Sequence, residues 1–252
     1  MKLDEFHQLK ENLKRPLIMA HRGSSALLPE NSPSAFLRAV EDGADVIETD
    51  LHFTRDGEIV LIHDNTLERT VEAAGPVHDF TLAELKRFNL KQPPERQQEV
   101  ERILTLRELI ELTGIKVPLA LELKDPLFAQ PEYGEKLVNL LRECGILGRC
   151  AVIGFNKQIV QQIEQMAPEL VGGWITMTNP SPNQAVEMLG PFWPLLLINP
   201  FYVSWAHRHG KIVAPLDPDP DARLALYLRL GADVILTDNP AKTLQALKEK
   251  LK

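Results

Sequence analysis

The stretch GADVIETD, residues 43–50, recurs near the end of the chain as GADVILTD, residues 231–238, with seven of eight positions identical. In each copy a glycine suited to the end of a helix precedes a short apolar run typical of a strand. Repetition of a helix–strand unit at two distant points of one chain is typical of folds built from β/α units. The pair therefore favours an α/β fold with parallel strands.

Further β/α units fill the rest of the chain. Short apolar runs alternate with segments whose apolar residues recur with a helical period. Eight predicted strands, mostly separated by helices and spread over about 250 residues, indicate an α/β fold of the (β/α)8 TIM type. The predicted strands are Leu17–His21, Val46–Asp50, Leu119–Lys124, Cys150–Ile153, Val171–Thr176, Leu195–Ile198, Lys211–Pro215 and Asp233–Thr237.

Length and composition fit one such barrel. The chain has 252 residues, of which 44% are hydrophobic and 25% charged, as in ordinary folded proteins. We predict a single domain over residues 1–252. The polar stretch at about 65–102 is predicted to form a small cap inserted after a hairpin.

Charge and cysteine content limit the expected partners. Lys and Arg number 28 against 35 Asp and Glu, and this net charge of −7 offers no electrostatic footprint for nucleic acid or an anionic membrane. No apolar run reaches the length of a membrane span, and the first residues lack the apolar core of a signal peptide. The two cysteines lack the spacing of a metal site. We expect a cytoplasmic protein with no nucleic-acid partner and no stable membrane association. No pattern specifies an oligomeric state.

One position distinguishes the two copies of the repeat, because Glu48 stands where the second copy has Leu236. A carboxylate buried unpaired in a leucine slot is costly, so Glu48 requires a cation or a donor nearby. Asp50 lies two residues on and faces the same side of the strand. The alternative is a strand that frays here and leaves Glu48 in water. In the second copy, Asp238-Asn239 is predicted only to cap the last helix.

A hairpin follows the Glu48 strand. Asp56-Gly57, between alternating apolar and polar residues, is a strong hairpin signal. A two-residue loop would place His63 opposite Asp50, whereas a three-residue loop would shift this register. In both cases the returning strand brings His63 toward the carboxylates. His52 is expected to lie exposed on the hairpin.

The predicted strand 119–124 ends in polar residues. Glu122 and Lys124 share the face opposite to three leucines, which directs them into the barrel. They lie at the carboxyl end of the strand, where barrel enzymes place their active sites. The alternative is a self-neutralising surface pair of Glu122 and Lys124.

The first predicted strand ends in His21-Arg22. A histidine after a strand is often structural, but the adjacent arginine and the second histidine, His63, favour a functional role. Glu30, in the following loop, could bond either His21 or Arg22 from outside the site. Asn31-Ser32 fits the cap of the next helix.

These strand ends bring three carboxylates, two histidines and two cations to one end of the barrel. The carboxylates suit a hard divalent cation, Mg²⁺ or Ca²⁺, and the cations suit a phosphate. The histidines suit proton removal and proton donation near neutral pH. Such a set can displace an alkoxide from a phosphodiester. The carboxylates are Glu48, Asp50 and Glu122, the histidines are His21 and His63, and the cations are Arg22 and Lys124.

The motifs around these residues resemble the glycerophosphodiester phosphodiesterase family. The resemblance implies a TIM-type barrel that hydrolyses glycerophosphodiesters to glycerol 3-phosphate and an alcohol. It implies that the histidines just named are the acid–base pair, the carboxylates the metal ligands, and the cations the phosphate-binding residues. The motifs are HRG (21–23), PEN (29–31), E-x-D (48–50), TRDGEIVLIHD (54–64), LERT (67–70), ELK (122–124) and TDNP (237–240).

Two departures from the family pattern fall on the apolar wall of the expected pocket. Gly154-Phe155 stands where the family often has Ser-Phe, and residues 213–218, VAPLDP, stand where it often has Trp-Thr. The alcohol group of the substrate is therefore left open. A lysophospholipase D-type reaction is one alternative, which an exposed apolar patch around the cap would favour.

Two further alternatives belong to other classes of protein. A non-catalytic barrel that binds phosphorylated ligands would be expected to lack one of the carboxylates or histidines, and none is missing. An aldolase or isomerase barrel would need a base beside a carbonyl site. Such a barrel would not explain two histidines together with Arg22.

Overall fold

Strands joined by helices run through most of the chain, which the computed structural model describes over residues 3–93, 100–114 and 117–251. The strands are β1 (Leu17–His21), β2 (Val46–Phe53), β3 (Ile59–Leu61), β4 (Leu119–Leu123), β5 (Cys150–Gly154), β6 (Val171–Thr176), β7 (Met188–Pro191), β8 (Ile212–Val213) and β9 (Val234–Thr237). The α-helices are α1 (Leu3–Leu13), α2 (Pro33–Glu41), α3 (Leu82–Leu85), α4 (Leu106–Thr113), α5 (Pro131–Glu143), α6 (Lys157–Met166), α7 (Leu195–Ile198), α8 (Tyr202–Arg208), α9 (Leu224–Leu230) and α10 (Pro240–Lys250).

The strands pair in the order β8-β7-β6-β5-β4-β2-β1-β9, with parallel neighbours throughout. The short β3 pairs antiparallel with β2 outside this path. The two ends of the sheet meet where the amide of Asp233 donates to the carbonyl oxygen of Val213 at 2.9 Å. This nearly closed ring of parallel strands confirms the predicted α/β TIM-type barrel.

One predicted strand is wrong. Leu195–Ile198 forms the short helix α7, and the barrel strand in this part of the chain is β7, Met188–Pro191. Pro194 has helical angles (φ −62°, ψ −24°), and a proline at the start of a helix sacrifices no hydrogen bond. The first two residues of α7 are buried and its last two are exposed, which a run of four apolar residues does not reveal. The other predicted strands overlap observed ones.

Apolar side chains pack on both faces of the barrel strands. On β4, Leu119 and Leu121 face outward into the core between sheet and helices, whereas Ala120 faces the lumen. This alternation is the one predicted from the sequence. The amino end of the lumen is closed by α1, whose Phe6 is 1% exposed within the luminal cluster. Among the described residues, Phe6 thus fills the end of the lumen opposite the carboxyl ends of the strands.

The described residues of the stretch 65–102 pack on the hairpin around an apolar cluster of their own. Leu67, Val71 and Leu85 are buried there against Val60 and Ile62. Residues 94–99 of the predicted cap lie outside the described residues. We propose that this stretch is the cap of a single-domain barrel.

Asp233 ties the barrel together where β8 and β9 meet. Its carboxylate is 1% exposed, accepts hydrogen bonds from the Val213 amide at 2.7 Å and from His207 Nε2 at 2.9 Å, and pairs with Lys10 of α1. Burial opposes ionisation, but the bonds from His207 and Lys10 outweigh it and hold the pKa of Asp233 below its ordinary value.

Replacing Asp233 with asparagine is expected to lower the free energy of unfolding by about 2–3 kcal/mol at pH 7, because buried donors lose a charged acceptor. A depressed carboxyl pKa stabilises the fold above the unfolded pKa, and this contribution disappears as the pH falls through the folded value. The difference between wild type and variant should therefore shrink in acid. Urea unfolding at pH 7 and pH 3 measures it, with Asp219→Asn at an exposed position as the control. Equal urea midpoints at pH 7 would contradict the closing role of Asp233.

Candidate active site

Polar side chains meet at the carboxyl ends of β1, β2 and β4. The parallel register places His21 beside Glu48 on the first pair of strands and Asp50 beside Glu122 on the second. Residues in register on parallel strands point to the same face of the sheet. All four side chains therefore lie at one mouth of the barrel.

Glu48, Asp50 and Glu122 form a carboxylate cluster. Each is buried, and one oxygen of each lies within 4.8 Å of those of the others. Within the described residues, Glu48 Oε1 and Asp50 Oδ1 are buried and accept no hydrogen bond. Burial, reinforced by the charges of Asp50 and Glu122, raises the pKa of Glu48 well above its ordinary value. Unpartnered oxygens that repel one another fit a hard cation, so the cluster could hold a divalent metal ion.

Two cations flank the carboxylate cluster. The Arg22 amide donates to Glu48 Oε2 at 3.0 Å, and its guanidinium Nε lies 3.1 Å from Asp50 Oδ2. Lys124 Nζ lies 2.8 Å from Glu122 Oε1 and 3.7 Å from Asp50 Oδ1. Because Glu48 and Glu122 are only 2% and 6% exposed, the alternatives that left them in water are wrong.

Each histidine at the mouth is held by a carboxylate through Nδ1. His21 Nδ1 lies 2.6 Å from Asp238 Oδ1, and His63 Nδ1 lies 2.6 Å from Asp64 Oδ1. A neutral ring held in this way carries its proton on Nδ1 and presents Nε2 as the basic atom. Burial lowers the pKa of His63, although the charge of Asp50 and the bond to Asp64 oppose this effect.

Asp238 does more than the predicted helix cap. Asn239 caps α10 by accepting from the Lys242 amide at 3.1 Å, whereas Asp238 turns to His21 and accepts from Ser25 Oγ at 3.0 Å. Its place in the repeat is that of Asp50, and β9 is the neighbour of β1. This contact could have been predicted from the sequence, because the repeat gives Asp238 the same face of its strand as Asp50 and β9 is the neighbour of β1 in a closed barrel.

Asn31 also has a partner that sequence reasoning missed. Ser32 caps α2, with the Ala35 amide donating to its Oγ at 3.1 Å. Asn31 adopts a left-handed backbone conformation (φ 55°), and its amide nitrogen donates to Asp50 Oδ2 at 3.0 Å. Thr49 Oγ1 donates to the amide oxygen of Asn31 at 2.7 Å, which fixes its orientation. Asn31 thus orients the Asp50 carboxylate.

Arg69 connects the cap to both sides of the site. It donates two hydrogen bonds to Glu30, at 2.6 and 2.7 Å, and one to Asp64 Oδ2 at 2.5 Å. Glu30 Oε1 lies 3.1 Å from the Arg22 guanidinium, so of its two predicted partners Glu30 bonds Arg22 and not His21. Burial raises the pKa of Glu30, but the bonds from Arg69 and the charge of Arg22 outweigh it and leave that pKa below its ordinary value.

Arg69 also holds Asp64 in its charged form. Its hydrogen bond is the largest of the effects that lower the pKa of Asp64 to about 2. Arg69 was not among the residues predicted for the site, although it lies in the LERT motif. The motif and the position a few residues after His63 were the sequence signals, and neither specifies a contact.

The hairpin has a three-residue loop. Residues 55–57 connect the strands, with Gly57 in the left-handed conformation (φ 79°) that this kind of loop requires at its last position. The Ile62 amide therefore bonds the Asp50 carbonyl at 3.1 Å, and the register that set His63 opposite Asp50 is wrong. His63 nevertheless lies close enough to the cluster for the charge of Asp50 to affect its pKa.

His52 is buried rather than exposed as predicted. Its side chain is 4% exposed. Strand β2 continues as far as Phe53, so His52 lies within the strand, where it pairs with Val60 of β3. Its Nδ1 lies 3.5 Å from Asp125 Oδ2 and its Nε2 lies 3.3 Å from the His63 carbonyl oxygen. His52 therefore supports the backbone of His63 from below.

Comparisons with known proteins identify the family and the fold of this chain. The sequence profile of the Glycerophosphoryl diester phosphodiesterase family matches residues 21–242. A glycerophosphodiester phosphodiesterase of Caldanaerobacter subterraneus subsp. tengcongensis is 33% identical over 242 residues, covering 93% of this chain and 99% of the relative. One of Bacillus subtilis is 32% identical over 258 residues, covering 92% of this chain and 87% of the relative.

Solved structures resemble this barrel over nearly its whole length. A phosphodiesterase of Oleispira antarctica, in complex with the product sn-glycerol-3-phosphate, has a TM-score of 0.80 and 25% identity, covering 92% of this chain and 97% of that one. A structure from Silicibacter pomeroyi also has a TM-score of 0.80, at 22% identity, covering 93% of this chain and 94% of that one. In the part of the chain that the structure describes, no helix is long and apolar enough to cross a membrane.

Proposed function

Because the chain belongs to the glycerophosphoryl diester phosphodiesterase family, we propose that it is a phosphoric diester hydrolase that converts glycerophosphodiesters to glycerol 3-phosphate and an alcohol. The observation that carries this proposal is the buried carboxylate cluster with two carboxylate-held histidines at the same mouth of the barrel. The relative from Oleispira antarctica supports it, since that protein holds glycerol 3-phosphate as product.

Glu48, Asp50 and Glu122 would hold a divalent cation, Mg²⁺ or Ca²⁺. These ions prefer carboxylate oxygens, and the cluster supplies oxygens that no other described group satisfies. When bound, the cation would polarise a phosphoryl oxygen and offset the negative charge of the cluster. Asn31 would keep the Asp50 carboxylate in place.

Arg22 and Lys124 would bind the phosphate. Both lie beside the carboxylate cluster, where an anionic substrate needs positive charge. Glu30 and its contact with Arg69 fix the guanidinium of Arg22, so that little rotamer freedom is lost when the phosphate binds.

His21 and His63 would transfer the protons. One ring removes the proton of the attacking oxygen as its bond to phosphorus forms, and the other gives a proton to the leaving alkoxide as its bond to phosphorus breaks. Asp238 and Asp64 hold Nδ1 of the two rings, which leaves Nε2 to exchange the proton. The protein is unchanged after both rings exchange their protons with water.

The proposed reaction is tested by following glycerol 3-phosphate released from glycerophosphocholine and glycerophosphoethanolamine, with Mg²⁺, with Ca²⁺ and with EDTA. Release that requires a metal and stops with EDTA is the expected result. Equal release with and without EDTA would contradict the role of the carboxylate cluster. No release from folded protein with either metal would contradict the hydrolysis of these two diesters.

Replacing Asp238 with asparagine is expected to reduce kcat by about 100-fold with little change in KM. The variant keeps the shape of the side chain but no longer favours the ring tautomer that leaves Nε2 of His21 basic. Ser25→Ala serves as the matched control, because it removes the hydroxyl that bonds Asp238 Oδ1 and the His21 carbonyl oxygen but leaves the Asp238 carboxylate beside His21 Nδ1. Its kcat should stay within a few-fold of wild type. Equal kcat values for Asp238→Asn and wild type would remove Asp238 from the mechanism.

A cytoplasmic location and the absence of a nucleic-acid partner or stable membrane association stay predictions. They are supported by the net charge of −7, which disfavours polyanions and anionic lipid surfaces.

A further inference from the structure

The barrel closes between β8 and β9, and this seam is held differently at its two ends. Among the described residues, β8 and β9 share no strand ladder. At the amino end, Asp233 bonds the backbone of Val213 through both its amide and its carboxylate. At the carboxyl end, the Asp238 amide donates to the Pro218 carbonyl oxygen at 2.9 Å. The mouth end of the seam therefore depends on the loop that contains Pro218.

The loop after β8 has few backbone donors. Pro215, Pro218 and Pro220 have no amide hydrogen, so none of them can bond a neighbouring strand in this way. The Leu216 amide donates to the carbonyl oxygen of the last residue of β7 at 2.8 Å. The loop begins in residues 213–218, where the chain departs from the family pattern, so the resemblance implies no role for it. A loop with so few amide donors needs side chains to fix its conformation.

Asp217 supplies these side-chain contacts. It is only 4% exposed, and its carboxylate accepts hydrogen bonds from Arg223 Nε at 2.6 Å, from Arg223 Nη2 at 2.7 Å and from the Tyr227 hydroxyl of α9. Arg223 Nη2 also donates to the Asp219 carbonyl oxygen at 2.5 Å. The guanidinium carbon of Arg223 lies 4.6 Å from the centroid of the Trp193 ring, in the loop after β7. The carboxylate of Asp217 and its cation thus join the loop to α9 and to the loop after β7.

The geometry of these contacts makes the loop rigid. Two N–H bonds from one planar guanidinium fix both the position and the rotation of a carboxylate. Contact of the guanidinium with an aromatic ring restrains the arginine in turn. Burial raises the pKa of Tyr227, and the bond to Asp217 reinforces this effect, so the hydroxyl keeps its proton and donates it. The Asp217 carboxylate is therefore held by three donors from two side chains.

Pro218, next to Asp217 in the chain, connects this loop to the candidate active site. Its carbonyl oxygen accepts from the amide of Asp238, and the Asp238 carboxylate lies 2.6 Å from His21 Nδ1. On the other side, the Asp238 carbonyl oxygen accepts from the Ala26 amide at 3.0 Å. The backbone of Asp238 is thus held between the loop after β8 and the loop after β1.

We propose, on the basis of the function proposed above, that Asp217 is a positioning residue for His21. Together with Arg223 it fixes the proline-rich loop, and the Pro218 carbonyl oxygen then sets the place of Asp238. The place of Asp238 determines the orientation of the His21 ring. In this role Asp217 acts on the reaction without touching the substrate.

The test is a double-variant cycle on the release of glycerol 3-phosphate from glycerophosphocholine in the presence of Mg²⁺ or Ca²⁺. Asp217→Asn is expected to lower kcat about tenfold with little change in KM, since a catalytic group misplaced by about 1 Å can lose about 100-fold. In an Asp238→Asn background, where His21 has already lost its carboxylate, Asp217→Asn should lower kcat further by less than about twofold. A loss of folded protein would instead lower the rate by the same factor in both backgrounds.

The outcomes separate this inference from the proposed function. A loss of about tenfold in both backgrounds, or a wild-type kcat in Asp217→Asn, overturns the positioning role and leaves the proposed function intact. No release by folded wild-type protein overturns the proposed function. Asp219→Asn, at an exposed position in the same loop, is the matched control and should keep the wild-type kcat.

Arg223→Lys repeats the cycle with less disturbance of the fold, because lysine keeps a positive charge beside Asp217 but cannot form two parallel bonds. We expect kcat to fall about threefold in the wild-type background and to stay unchanged in the Asp238→Asn background. This variant decides the matter if Asp217→Asn does not fold. An equal fall in both backgrounds overturns the inference.

Hydrogen exchange of the Asp238 amide tests the contact without any turnover. This amide is expected to exchange slowly in wild type, because it donates to Pro218. Asp217→Asn should speed its exchange at least about tenfold relative to the amides within β9, and Asp219→Asn should not. Equal exchange of the Asp238 amide in Asp217→Asn and wild type overturns the inference, whether or not the protein turns over the diester.

Discussion

Glu122→Gln is expected to reduce metal-dependent release of glycerol 3-phosphate by about 1,000-fold or more while leaving the barrel folded. The side chain is 6% exposed and supplies one of the three oxygens of the carboxylate cluster. Glutamine has nearly the same shape but contributes no charge to a divalent cation, and loss of the electrostatic stabilisation that a bound cation provides costs this order of rate.

A second measurement separates metal loss from misfolding. Burial raises the pKa of Glu122 although the charge of Lys124 opposes it, so the carboxylate charge destabilises the protein when no metal ion is bound. In EDTA the melting temperature of Glu122→Gln should therefore equal or exceed that of wild type. The rise in melting temperature on adding Mg²⁺ or Ca²⁺, which wild type should show, should be lost.

The matched control for this variant is Glu169→Gln, at an exposed position after α6. It should keep both the turnover and the metal-induced rise in melting temperature. Full activity in Glu122→Gln, or an undiminished metal-induced rise, would remove Glu122 from the metal site.

His21→Asn and His63→Asn are each expected to lower kcat by about 100- to 10,000-fold, the usual contribution of a general acid or base. The metal-induced rise in melting temperature should persist in both, because neither ring belongs to the carboxylate cluster. The double variant should lose less than the product of the two single losses, since both rings act on one displacement.

His78→Asn is the matched control for the histidine variants, because its ring lies exposed on the cap. Its kcat should equal that of wild type. A kcat within a few-fold of wild type in either His21→Asn or His63→Asn would show that the ring concerned transfers no proton in the slow step. Loss of the metal-induced rise in these variants would instead indicate a disturbed cluster.

The fold could be predicted because its signals are local. The repeated GADVI stretch and the alternation of Leu119, Leu121 and Leu123 with inward residues each depend on neighbours in the chain. The predicted strand at Leu195–Ile198 was wrong because this segment has no such local signal. A run of four leucine and isoleucine residues has no internal period, and the helix that Pro194 begins there is set by backbone geometry.

The residue types predicted which side chains gather at the candidate site but not all of their contacts. Glu48 was found because a carboxylate replaced a leucine in an otherwise identical strand. The partner of His21 was not found, because Asp238 lies 217 residues away and only the closing of the barrel brings them together. Hairpin register depended on whether Gly57 ends a two-residue or a three-residue loop, and both fit the same sequence.

The contacts of Arg69 define where the cap can be exchanged in protein engineering. A graft that starts at residue 65 would remove the guanidinium and leave the carboxylates of Glu30 and Asp64 without the cation that they share. The junction has to fall after Thr70, so that the first turn of the insertion stays with the barrel. Chimeras built at that boundary would exchange the rest of the cap and keep the contacts of this barrel that orient His63.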